Sequence, residues 1–156
     1  MPDSAPSIDL FDETRQLLLA LERRGIEYAL VGAVALAVHG VPRATTDIDL
    51  LIRPDSLEAA AEEARSLGYV FEAQPMRFPD GMEIRRLSKI VGEETLTLDL
   101  LLVDANLEEV WASRRRFEAS FAGAWVVSRE ALIRMKTWAG REQDLADVKR
   151  LGDLDR

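Results

Sequence analysis

Asp47 and Asp49 lie two residues apart in Asp-Ile-Asp-Leu-Leu-Ile, a run whose other members belong in a buried strand. Aspartate is depleted in strands because its side chain prefers to bond the local backbone in turns. A strand alternates its faces, so Asp47, Asp49 and Leu51 point one way and Ile48, Leu50 and Ile52 the other. The two carboxylates then stand side by side, with Cα atoms about 7 Å apart by strand rise. Like charges held together raise one another's pKa unless a cation neutralises them. A hard divalent ion does so most simply, and an oxygen-only donor set favours Mg²⁺ or Mn²⁺ over Zn²⁺.

A second strand-like run, Thr95 to Val103, repeats the pattern. Leu96, Leu98, Leu100 and Leu102 form an apolar face, while Asp99 shares the opposite face with Thr97 and Leu101. If the two runs are neighbours in register, Asp47, Asp49 and Asp99 meet on one side of a sheet. Three such carboxylates can hold two metal ions about 3.5–4 Å apart, the arrangement used for in-line phosphoryl chemistry. An Asp-x-Asp pair alone usually marks a solvated strand end. Asp99 adds weight, because an unpaired buried carboxylate costs several kcal/mol. Asp104 ends its run and is explained as cheaply by capping the next helix.

Composition narrows the remaining chemistry. The 156 residues contain no cysteine and a single histidine, His39. Disulfides, thiolate metal sites, a cysteine nucleophile and a multi-histidine site within this chain are therefore excluded. A formal charge of −8 argues against broad nonspecific nucleic-acid binding. Arg114, Arg115 and Arg116 are either a local basic patch or, preferably, a solvated helix end favoured by the helix dipole. With 47% hydrophobic residues, the chain is expected to form one domain over residues 1–156, whose first residues, Met1 to Ser7, are a disordered, Pro-containing leader. That leader lacks signal-peptide features and no apolar stretch approaches the roughly 20 residues of a membrane span, so a cytoplasmic protein without membrane contact is expected.

The elements that must position these residues follow from pattern and breakers. Leu10 to Arg24 reads as an amphipathic helix stopped by Gly25, with Leu10, Leu17, Leu18 and Leu21 on its apolar side. Glu27 to Val31 is a strand, Gly32 to His39 a helix, and Gly40 with Pro42 turns the chain into the strand Asp47 to Ile52. Asp55 and Glu58 resemble a capping box opening a helix that Gly68 closes. Tyr69 to Phe71, Met76 to Phe78, Glu83 to Ile90 and Thr95 to Val103 are strand candidates; Leu107 to Arg116 reads as helix and Ala124 to Val127 as strand. Ser128 is the N-cap of a helix through Ala139, and Gly140 separates it from a last helix with Leu145, Val148 and Leu151 on one face. The mixture predicts an α+β fold: a small mixed sheet with helices packed on it and a C-terminal helical pair over 128–151.

Gly32 joins a strand to a helix, a place where backbone amides can face phosphate and glycine permits close approach. With Leu30-Val31-Gly32-Ala33, thirteen intervening residues and Asp47-Ile48-Asp49-Leu50, the segment resembles the signature of the DNA polymerase β-like nucleotidyltransferase superfamily. Asp99 fits that superfamily's third carboxylate. The tail "LIRMKTWAGREQDLADVKRL" resembles the Lys-x(4)-Arg-x-x-Asp-Leu-x-Asp helices of AbiEii-like and related minimal nucleotidyltransferases, and the similarity spans about Tyr28 to Leu151. Where the family usually has Gly or Ser after its first glycine, this chain has Ala33, which keeps a donor amide but lacks a hydroxyl.

The resemblance implies a polymerase β palm-like fold and transfer of a nucleoside monophosphate from an NTP to an acceptor hydroxyl, with pyrophosphate release. Asp47, Asp49 and Asp99 would be the catalytic and metal-binding residues, with Mg²⁺ or Mn²⁺ as cofactor. Gly32, Ala33, Thr46, Lys136 and Arg141 would serve the nucleotide. Lys136 fits a triphosphate-facing charge or a solvated face equally well. Asp144 and Asp147 either orient Lys136 or Arg141 or form surface i,i+3 pairs. Arg43 is either a phosphate clamp or merely exposed, and Thr45 and Thr46 are expected to bond the loop backbone. His39 is read as a packing or capping residue, and Trp111, Trp125 and Trp138 as core. The implied acceptor is a tRNA end, a protein or a small molecule, and the implied partners are a cognate toxin or antitoxin or a second copy of the chain. Two rivals stand beside this reading: a catalytically dormant, antitoxin-like binding module and a metal-dependent phosphohydrolase.

Overall fold

The computed structural model describes residues 8–42, 44–118 and 123–153. Helix α1 (Leu10–Arg23) leads into β1 (Tyr28–Val31), α2 (Gly32–Val38) and β2 (Asp47–Ile52). A 3₁₀ turn at Pro54–Ser56 precedes α3 (Leu57–Ser66), then short β3 (Phe71–Glu72) and β4 (Met76–Arg77), and the long hairpin β5 (Glu83–Val91) and β6 (Glu94–Leu102). A 3₁₀ turn at Ala105–Leu107, α4 (Glu108–Ala112), β7 (Arg115–Glu118), β8 (Gly123–Val126), α5 (Arg129–Ala139) and α6 (Glu142–Asp153) complete the order.

Among the described residues the strands form one mixed sheet, ordered β3-β5-β6-β2-β1-β8-β7, with β4 also paired to β5. β2 runs parallel to β6 and antiparallel to β1, while β1 is parallel to β8. The expected α+β architecture with a C-terminal helical pair is therefore present. β2 is central, and past its aspartates Leu50, Leu51 and Ile52 are all buried, as expected for a strand covered on both faces. Only its first turn of side chains opens outward, and that is where Asp47 and Asp49 sit. α1 is capped by Asp9, whose side chain accepts from the Asp12 amide, and it buries Leu17, Leu18 and Leu21. Its Glu13 accepts from Lys89 of β5 at 2.9 Å and from the Tyr69 hydroxyl at 3.1 Å. The Leu87/Lys89 face of β5 is thus turned to α1, and by strand alternation Arg86, Ser88 and Ile90 face the aspartate side.

Several expectations need correction. The segment Leu107 to Arg116 is not one helix: α4 ends at Ala112 and Arg115 begins an antiparallel pair with β8. The arginines are consequently neither a helix end nor a free patch. Arg114 stacks on Trp111 and Trp125 and pairs with Glu27 at 2.7 Å, and Arg116 pairs with Glu22. Asp55 makes no capping box, since the chain enters α3 through Pro54 and α3 has no side-chain cap bond. Of the three tryptophans, Trp111 is buried, Trp125 half-buried and Trp138 57% exposed. Leu145 is likewise exposed, because α6 turns Asp144, Asp147 and Leu151 inward instead.

Candidate active site

Pairing in the sheet brings the three aspartates together. The register sets Asp49 beside Asp99 and Asp47 beside Thr97 on parallel neighbours, so all three carboxylates share one face. On the other side of β6, Arg86 stands opposite Asp99. Its guanidinium grips that carboxylate with a two-pronged fork, Nε to Oδ1 at 2.8 Å and Nη2 to Oδ2 at 2.9 Å. Asp99 is 7% exposed and Arg86 is exposed, so the fork closes over the carboxylate from the solvent side. Asp49 lies between these groups. Desolvation, then repulsion from Asp99 and from Asp47, pushes its pKa up to about 7, and Lys136 and Arg86 only partly oppose the rise. Among the described residues, burial and the two neighbouring carboxylates outweigh the nearby cations at Asp49.

The glycine junction makes room for one of the aspartates. Val31 pairs with Asp49, so Gly32 meets the Asp49 side chain directly. Gly32 has φ +69°, and a Cβ there would overlap the Asp49 carboxylate. Any other residue would be strained and would displace the aspartate. Among the described residues no non-glycine has positive φ, so Ala33 holds ordinary helical backbone, with its methyl 4% exposed.

A second charged cluster lies between α5 and α6. Ser128 caps α5 by accepting from the Ala131 amide, and Gly140, at φ +66°, ends it. This turn points Lys136 at α6, where its Nζ lies 3.1 Å from Asp147 Oδ2 and 3.5 Å from Asp144 Oδ1. Arg141 reaches Asp144 with Nε at 2.6 Å, Nη2 at 3.3 Å and its own amide at 3.3 Å. Burial alone would raise the Asp144 pKa, but Arg141 and then Lys136 outweigh it and hold the carboxyl below its ordinary value. Lys136 is buried, so the solvated lysine face is overturned, whereas the expected i,i+3 pair Arg141–Asp144 forms, with the arginine exposed and the aspartate buried. The cluster adjoins the aspartate face electrostatically, since both Lys136 and Arg141 interact with Asp49.

The other expected residues are more peripheral. Thr45 Oγ1 accepts from the Asp47 amide at 3.1 Å, and the Thr46 carbonyl accepts from Thr97 of β6, leaving Thr46 exposed beside Asp47. His39 packs edge-on against Phe117 and contacts the Val127 carbonyl through Nε2 at 2.8 Å, as a packing residue would. The Asp104 side chain caps the turn after β6, accepting from the Leu107 amide. Arg43 and the segment Met1 to Ser7 lie outside the described residues. Arg86 was not expected from the sequence, although the tight turn at Gly92 fixes it opposite Asp99.

Among the described residues no three His, Asp or Glu side chains are gathered tightly enough to hold a metal ion. Both oxygens of Asp99 accept from Arg86. The chemistry of the donor set still suits a hard divalent ion. Asp47 and Asp49 offer only carboxylate oxygens, and burial, then repulsion from Asp99 and Asp47, raises the Asp49 pKa. Asp99 fits the same set only when the Arg86 fork opens.

No protein-family model and no curated protein matches the chain. Among solved structures it is similar to the lincosamide antibiotic adenylyltransferase LnuA bound to lincomycin, at 18% identity over 90% of this chain and 94% of that one, with a TM-score of 0.66. It is similar to TM1012 of Thermotoga maritima, assigned as a nucleotidyltransferase, at 17% identity over 92% and 91% of the two chains and a TM-score of 0.61. It is also similar to ANT(2″)-Ia in complex with adenylyl-2″-tobramycin, at 17% identity over 90% and 86% with a TM-score of 0.61. At these identities the likeness is one of fold, and the fold is that of the nucleotidyltransferases.

Proposed function

We propose that the chain is a nucleotidyltransferase that moves a nucleoside monophosphate from an NTP to an acceptor hydroxyl. The observation that carries this reading is the in-register placement of Asp47, Asp49 and Asp99 on one face of parallel β2 and β6, on this fold. In the reaction the acceptor oxygen bonds the α-phosphorus while the bond to the β-phosphate breaks and pyrophosphate leaves. Asp47, Asp49 and, once released by Arg86, Asp99 would hold Mg²⁺ or Mn²⁺, which when bound supplies charge neutralisation at the phosphates. Asp99 takes the proton of the acceptor hydroxyl at a carboxylate oxygen. Gly32 leaves room for Asp49 to stand at the junction, where the Gly32 and Ala33 backbone faces the nucleotide. Lys136 and Arg141 add positive potential toward the triphosphate, and Thr46 lines the approach beside Asp47.

A small-molecule acceptor is favoured. Neighbours of this fold are an adenylyltransferase of a lincosamide and a protein complexed with an adenylylated aminoglycoside, and a net charge of −8 disfavours a polyanion such as tRNA. An AbiEii-like toxin role, with a protein partner, rests on the tail motif alone. The dormant-module reading rests on Ala33, which lacks the hydroxyl a serine would offer; its φ is not positive, the condition under which its amide remains a donor.

The test is pyrophosphate release from each NTP with Mg²⁺, in the presence of lincomycin, tobramycin or bulk tRNA, beside the Asp47→Ala/Asp49→Ala variant. Release that the double variant abolishes supports the reading. Equal release from both proteins contradicts it, and inorganic phosphate without pyrophosphate points to a phosphohydrolase.

A further inference from the structure

Arg86 has a part that a positioning role alone does not explain. It stands directly across the sheet from Asp99, on the open face, and its fork uses both oxygens that a metal would need. Its charge also interacts with Asp47 and Asp49. Among the described residues it is the cation that hydrogen-bonds a carboxylate of this face. Its partner is buried, whereas the arginine side chain is 44% exposed and has open solvent into which to swing.

We infer that Arg86 is an internal competitor for the divalent ion: its guanidinium holds Asp99 in the metal-free resting protein and must leave Asp99 before the third carboxylate can bind metal. This rests on the carboxylate face being a metal site. Ion binding and Arg86 pairing are mutually exclusive at Asp99. The measured affinity is then the intrinsic one reduced by the fraction of molecules with the fork open. If that fraction is about one tenth, removing the competitor tightens binding about tenfold.

The experiment is titration of the full chain with Mn²⁺ alone, followed by electron paramagnetic resonance, for wild type, Arg86→Gln, Asp99→Asn and the double variant, with Asp49→Asn as control. Arg86→Lys, which keeps the charge and loses the fork, covers the case in which Arg86→Gln does not fold. The expected result is Mn²⁺ affinity at least about fivefold tighter in Arg86→Gln, with Arg86→Lys between it and wild type. That gain disappears in the Asp99→Asn background. Unchanged or weaker binding in Arg86→Gln, with wild-type binding that Asp49→Asn abolishes, overturns the competitor and leaves the metal site standing. Absence of Mn²⁺ binding in every protein overturns both.

Discussion

Two charged clusters sit near one another in this fold, and they are balanced in opposite ways. Between α5 and α6, Asp144 and Asp147 face one ammonium and one guanidinium, and Asp144 is held below its ordinary pKa. On the sheet, among the described residues, Asp47, Asp49 and Asp99 share one close guanidinium, and burial with carboxylate repulsion pushes Asp49 up to about 7. The first arrangement is self-sufficient and acts as a clasp between helices. Among its described residues the second has fewer cations than carboxylates in contact, the balance that the proposed cation and triphosphate would restore. Burial alone does not separate them, since both bury carboxylates. The count of neutralising partners does.

Breaking each cluster should therefore have opposite consequences. The Asp47→Ala/Asp49→Ala variant is expected to lose about 10³-fold or more in nucleotidyl transfer while keeping its fold, measured by pyrophosphate release and circular dichroism. Lys136→Met leaves Asp144 and Asp147 buried beside an apolar chain and should cost about 3–5 kcal/mol of stability in urea unfolding. A loss below about 1 kcal/mol would show that the clasp is not buried as described. Gly32→Ala places a methyl at positive φ against Asp49, and should cost about 1–3 kcal/mol together with most of the activity. At the small end, Trp138→Ala, on the exposed side of α5, should change stability by no more than about 0.5 kcal/mol.

How far these clusters can be read from sequence differs for physical reasons. Strand alternation suffices to put Asp47 and Asp49 on one side and Asp99 on the polar side of its own strand. The β2–β6 pairing is nonlocal and only the fold supplies it. Arg86 was within reach: Val91 and Glu94 flank the tight turn at Gly92, and Arg86 and Asp99 each lie five residues beyond them. The clasp was not, because Asp144 and Asp147 satisfy an exposed i,i+3 pattern as well as a buried one. Leu145 misled for the same reason, being apolar on the side of α6 that faces solvent. Arg114 to Arg116 read as helix because a short helix running into a strand has the same polarity as a longer helix. Gly32 was found by its place between strand and helix, but its reason, clearance for Asp49, is visible only in three dimensions.

The most direct test of the imbalance is the melting temperature of wild type and Asp49→Asn across pH 5 to 8, with and without Mn²⁺. Asp49 rises from an ordinary 3.8 to about 7 in the folded chain, so the unfolded chain holds fewer protons between those values and stability falls as pH rises through them. Its charge is most costly above pH 7, where removing it should raise the melting temperature by at least about 3 °C, shrinking toward nothing at pH 5. Mn²⁺ at pH 8 should stabilise wild type and leave Asp49→Asn unmoved. A variant less stable than wild type at pH 8, or stabilised equally by Mn²⁺, would contradict the claim that these aspartates form an under-neutralised cation site.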